Sequence, residues 1–141
     1  MKTTALKYKK SLLVLNAMDA KGIEQRHLFL LYQNVVLSVI VYGQGLTTMA
    51  QTNLLKLDKV QNEAMRVILG TTQDTPTETM KFMLDLPPMQ TRQKVKHVKA
   101  YFSVVENPHN PLHEIVKDTK GCRLGGGKSW VGQAEDSTLQ V

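Results

Sequence analysis

The stretch LLKLDKVQNEAMRVILGTTQDTPTETMKFMLDLPPMQTR, residues 54–92, carries the punctuation of a helical fold. Its first part keeps helical spacing. Leu57, Val60, Ala64 and Ile68 recur at steps of three and four, with Lys56, Lys59, Glu63 and Arg66 opposite, which predicts a helix over 52–69. The pairs Lys59–Glu63 and Glu63–Arg66 are spaced to support that helix by about 0.2–0.5 kcal/mol each. Gly70 stands where a left-handed C-terminal cap belongs. Thr75-Pro76-Thr77-Glu78 then reads as a capping box, with Thr75 as the cap, Pro76 at the first helical position and Glu78 at the third. Leu86-Pro87-Pro88 ends this short helix, because proline has no amide hydrogen and restricts the residue before it.

On the C-terminal side, Pro88 opens another helix to about Glu106, with Val95, Val98, Phe102 and Val105 as its apolar stripe. NPHNP at 107–111 is a turn, and PLHEIVKD adds a short sixth helix. Beyond Thr119 the chain is Gly-rich and polar, and the expectation is a disordered tail. On the N-terminal side, residues 24–42 form a long apolar run. His27, Asn34 and Ser38 share one stripe, so the reading is a largely buried helix, broken at Gly43 and Gly45. VVLSVIVY within it has strand propensity, but the length of the run favours helix. A first helix over 3–20 places Leu6, Leu13 and Ala17 inward and Lys2, Lys9 and Lys10 outward, and Gly22 ends it. The expected fold class is all-α: a small bundle of about five helices over 1–118 and a flexible Gly-rich tail over 119–141. No internal repeat is present.

Bulk composition sets the outer bounds. At 141 residues and 42% hydrophobic content the chain suffices for one modest core, built from Leu, Val, Ile and Met because aromatics make up only 6%. A net charge of +6 favours a polyanionic partner or surface. The single cysteine, Cys122, excludes an internal disulfide and a thiolate zinc cluster, and suits a reducing intracellular compartment, cytoplasmic or nuclear. The apolar run Leu12–Leu15 is too short for the core of a secretion signal. Leu28–Tyr42 falls short of the roughly 20 apolar residues a membrane span needs. The expectation is a protein neither secreted nor membrane-spanning.

Chemistry-bearing motifs are sparse. GCRLGGGKS suggests a phosphate loop, yet Cys122 occupies the position that motif needs as glycine, and no apolar strand precedes it. His109 and His113 are four apart with Glu114 adjacent, but Pro111 separates them, so surface histidines in a turn are the better reading than a zinc pair. Nothing near Cys122 lowers its pKa towards a nucleophile. Asp19, Asp58, Asp74 and Asp85 stand singly, without the paired-aspartate turn a two-metal polymerase centre requires. No cofactor and no metal are expected. The strongest binding feature is basic. Arg92, Lys96 and Lys99 fall on one face of the fifth helix with Lys94 and His97 nearby, and only Glu106 is acidic there. Such a stripe suits a nucleic-acid backbone; the alternative is a solvated lysine face on an amphipathic helix. Lys7, Lys9 and Lys10 form a second, smaller cluster.

Taken in order, LYQNVVLSVIVYG, LLKLDKVQNEAMRVILGTTQDTPTETM, LDLPPMQTR and the NPHNPLHEI turn resemble the region that follows the catalytic domain in non-LTR retrotransposon reverse transcriptases. The resemblance covers residues 28–116 and implies a thumb-and-linker of packed helices that grips an RNA–DNA or DNA duplex at the template–primer. It also implies no catalytic centre, since the family's fingers, palm with its aspartate pair, endonuclease and ribonuclease H domains have no counterpart in the chain. Gln44-Gly45-Leu46 stands where the family usually has a tryptophan shortly after the tyrosine–glycine pair, and a degenerate or truncated copy fits these departures. The competing expectation is a helical protein–protein interaction module whose positive charge is incidental. Helices parted from a palm would expose apolar surface, chiefly over 28–42, and would self-associate.

Overall fold

The helical reading holds throughout the computed structural model, which describes residues 2–42, 48–118 and 129–139. In order the elements are α1 (Lys2–Asp19), α2 (Gln25–Leu31), a π-helical segment (Tyr32–Leu37), α3 (Ser38–Val41), α4 (Gln51–Leu69), α5 (Thr77–Leu84), α6 (Met89–Val105), α7 (His113–Asp118) and α8 (Trp130–Leu139). No strand occurs among the described residues. The chain is all-α. α7 is the short sixth helix read from PLHEIVKD; beyond it, α8 is an addition and the second helix changes its winding midway. The chain divides into two units: residues 1–42 with 50–89, and residues 43–49 with 90–141. The sequence, by contrast, reads as one helical domain over 1–118.

In the first unit α1 and α2 both pack on α4, and α5 folds back onto α4. Leu54, Leu57, Ala64, Met65 and Ile68 form the buried stripe of α4, with Leu15 of α1 and Leu28 of α2 also buried. The inward face of α1 differs from expectation: Leu12 and Leu15 are buried, whereas Leu13 is 64% exposed and Ala17 faces solvent. The second helix keeps its polar stripe, since His27, Asn34 and Ser38 are all exposed. It is less buried than expected, however, with Leu30, Val35 and Val39 each close to half exposed.

The π segment explains that pattern. A π turn holds one residue more than an α turn. The widened turn brings Val36, Leu37, Ile40 and Val41 onto the same buried side as Tyr32. Ser38 Oγ lies 2.6 Å from the Asn34 carbonyl oxygen and 3.0 Å from that of Val35, so its hydroxyl donates into the distorted turn.

Three helices of this unit stop in the same way. At α1 the Gly22 amide donates to Asp19 O and the Ile23 amide to Met18 O; at α4 the Gly70 and Thr71 amides donate to Val67 O and Arg66 O. Gly22 and Gly70 have φ of 76° and 62°, the left-handed conformation such Schellman caps demand. At α5 the left-handed residue is Asp85, φ 51°, and the buried Leu86 follows it with its amide on Lys81 O.

The start of α5 is a correction. Pro76 with ψ 130° is the N-cap, the helix begins at Thr77, and no side chain caps it. Proline has no side-chain oxygen to offer, and the Glu78 carboxylate lies instead 3.1 Å from Lys81 Nζ. Arg66 likewise turns to the carbonyl oxygen of Gln73 at 3.4 Å.

In the second unit, Val104 of α6, Val116 of α7 and Val131 of α8 form a small core, with Tyr101 and Trp130 packed against it. Residues 130–139 are therefore helical where the sequence reading expects a disordered tail. Val131 and Ala134 are buried, a signal too short to stand out in a glycine-rich context. Residues 119–128, with Cys122 and the Gly127-Lys128 pair, lie outside the described residues, as do the breaks expected at Gly43 and Gly45.

Candidate nucleic-acid interface

Helix α6 begins where two prolines forbid continuation of what precedes, and its first amide is provided for. Asp58 Oδ1 accepts a hydrogen bond from the Met89 amide at 2.9 Å, supplying from α4 the N-terminal partner that Pro88 lacks. One turn further along α4, the fully buried Gln61 donates through Nε2 to Pro87 O at 3.2 Å. Its Oε1 accepts from the buried Tyr32 hydroxyl at 3.4 Å. Two polar side chains of one helix thus hold the backbone of the Leu-Pro-Pro-Met turn. By sequence alone Asp58 reads as an isolated surface aspartate and Gln61 belongs to no motif. The signal was present, since Gln61 sits at helical spacing between Leu57 and Ala64 on an otherwise apolar stripe.

Along α6 the inward face is Met89, Gln93, His97 and Val104, all buried. This overturns the expected apolar stripe: Val95 is 47% exposed, Phe102 40% and Val105 36%. It also removes His97 from the basic face. Lys94, Lys96 and Lys99 are exposed and Arg92 is half-buried. Arg92, Lys96 and Lys99, at steps of four and three, share the outer side; Lys94, two residues from both Arg92 and Lys96, projects from a different side. No carboxylate lies between Met89 and Val105.

The end of this unit is held by polar contacts of its own. His113 is buried, and its Nδ1 lies 3.0 Å from Val104 O, so that nitrogen carries the proton and donates. The expectation of a surface histidine holds for His109, which is exposed, and fails for His113. The Tyr101 hydroxyl donates to Glu135 Oε1 at 3.4 Å. Burial first, then the negative charge of Glu135 and the hydrogen bond to it, raise the Tyr101 hydroxyl above its ordinary range. The Tyr101 ring meets Phe102 edge to face, centroids 6.0 Å apart and planes at 72°. Among the described residues no group of three or more His, Cys, Asp or Glu is placed to hold a metal ion. None of the described helices is long and apolar enough to cross a membrane. In the smaller lysine cluster Lys9 and Lys10 are exposed.

Comparison with protein-family models, with curated proteins and with solved structures finds no match to this chain.

Proposed function

We propose that the chain is a helical region of the kind that follows the catalytic domain in non-LTR retrotransposon reverse transcriptases, contacting an RNA–DNA or DNA duplex inside the cell and having no catalytic centre of its own. The observation that carries the reading is the outer face of α6. Arg92, Lys96 and Lys99 follow one another along it without an intervening carboxylate. A row of cations on a straight helix matches a row of phosphates, and the affinity it yields derives from counterion release. The order of parts in the sequence supports the family; the cationic row supports the role.

The test is a fluorescence-anisotropy titration of the chain with an RNA–DNA hybrid at two salt concentrations. Three phosphate contacts predict a loss of roughly 40-fold in affinity between 50 and 200 mM salt. Reversing the charge of Arg92, Lys96 and Lys99 together is expected to abolish binding. Salt-independent binding, or binding that survives the reversal, would overturn the proposal. Primer extension by the purified chain is expected to be nil.

A second reading, a protein–protein interaction or self-association module, draws on the first unit. Leu13 and Val14 of α1 and Leu30, Val35 and Val39 of the second helix are between 44% and 64% exposed. Apolar docking there would respond little to salt, so the same titration, repeated with a protein partner or with the chain itself, separates the two.

A further inference from the structure

The apolar stripe that the spacing of α6 predicts is intact, but it faces away from the core. Val95, Val98, Phe102 and Val105 follow one another at steps of three, four and three, the seam of a heptad pattern. Val95, Phe102 and Val105 are 47%, 40% and 36% exposed, and Val98 is half-buried. The buried side of the same helix, Met89, Gln93, His97 and Val104, is half polar. Phosphate contact by Arg92, Lys96 and Lys99 leaves the seam unused.

The borders of the seam say what chemistry fits it. With Val95 and Phe102 at a and Val98 and Val105 at d, Lys99 stands at e and Lys94 at g, on opposite sides of the seam. Both lysines are exposed, and no carboxylate lies between Met89 and Val105. An apolar seam two positions wide suits one facing helix, whereas a lipid surface favours a broader apolar face. The bordering charges then choose among helices. In a parallel pair the g residue of one helix meets the e residue of the other's next heptad, so a second copy of α6 would set Lys94 against Lys99. Glutamates at e and g of a partner would meet both lysines instead.

We infer that the outward seam of α6 docks an acidic amphipathic helix of another protein, its apolar residues against Val95, Val98, Phe102 and Val105 and its carboxylates on Lys94 and Lys99. Such a partner needs no nucleic acid bound, and of the cationic row it uses only Lys99.

The probe is a labelled peptide of about three heptads with Leu and Val at the seam and Glu at e and g, titrated with the full chain by fluorescence anisotropy. Two control peptides keep its length: one carries Lys at e and g, the other Ser along the seam. The acidic apolar peptide is expected to bind, and each control to bind at least about tenfold more weakly. V95Q/F102Q changes exposed positions, so circular dichroism should be unaltered. Its affinity for the acidic peptide should fall by about tenfold or more, while salt-sensitive hybrid binding, which uses the cationic row, should hold within about twofold. K94E/K99E should exchange the preference and take the lysine peptide over the glutamate one. No binding of the acidic peptide would overturn the inference. So would equal binding of the serine-seam peptide, or full affinity in V95Q/F102Q, either of which would leave charge attraction alone. A dimer of the chain in sedimentation equilibrium that V95Q/F102Q abolishes would overturn it in favour of a second copy.

Discussion

Asp58 shows how much one side chain of this fold does that its neighbours in sequence do not reveal. Flanked by Leu57 and Lys59, it reads as a solvated acid on an amphipathic helix, yet it accepts the first amide of α6 at 2.9 Å. Removing that acceptor leaves the amide without its partner at a helix start, where comparable caps contribute about 0.5–2 kcal/mol. Asp58→Ala is expected to destabilise by about 1 kcal/mol in urea unfolding, and Asp58→Asn, which keeps a carbonyl oxygen, by a few tenths. Equal losses in the two variants would show that the carboxylate charge, rather than its acceptor, matters. Asp85 holds a different position of the same kind, a left-handed residue that glycine fills at Gly22 and Gly70. Its short polar side chain tolerates that conformation better than most.

At the scale of the helix, boundaries were far more legible than faces. Gly22, Gly70 and the Leu-Pro-Pro stop mark ends through backbone chemistry that acts locally, so the chain's own letters suffice. Faces depend on what a helix packs against. Val95, Phe102 and Val105 have core-like side chains, yet Gln93 and His97 are buried and those three are exposed. The cationic row of α6 was legible because charge and spacing alone define it, whereas the small valine core of the second unit needed Val131 from a helix that glycine-rich surroundings concealed. Likewise nothing in YQNVVL announces a π turn. Because that turn carries one surplus residue, deletion of the exposed Asn34 should convert 25–41 to regular helix with its buried residues still on one side. We expect a cooperative melt and a cost below about 1.5 kcal/mol. Deleting Glu63, equally exposed but within regular α4, rotates Ala64, Met65 and Ile68 by about 100° out of the core and should abolish the cooperative transition. Circular dichroism melts of the two deletions decide the matter.

Across the whole molecule, buried apolar residues concentrate in the first unit, from Leu12 to Met89, while the second holds Val104, Val116, Val131 and Ala134. A polypeptide of residues 1–89 is therefore expected to remain helical and to melt cooperatively, being longer than many domains that fold alone. A gradual, non-cooperative loss of ellipticity would show that its core requires residues beyond Met89. The uneven distribution also forecasts how the chain responds to random mutation. Substitutions at Leu15, Tyr32, Gln61 or Ile68 would surface in any screen for intact, well-expressed protein. Those at Arg92, Lys96 or Lys99 would pass such a screen unnoticed and surface only when a ligand is offered. A library sorted twice, first for folding and then for retention on nucleic acid, would return two nearly disjoint sets of positions, and the second would trace a single line down the outside of α6.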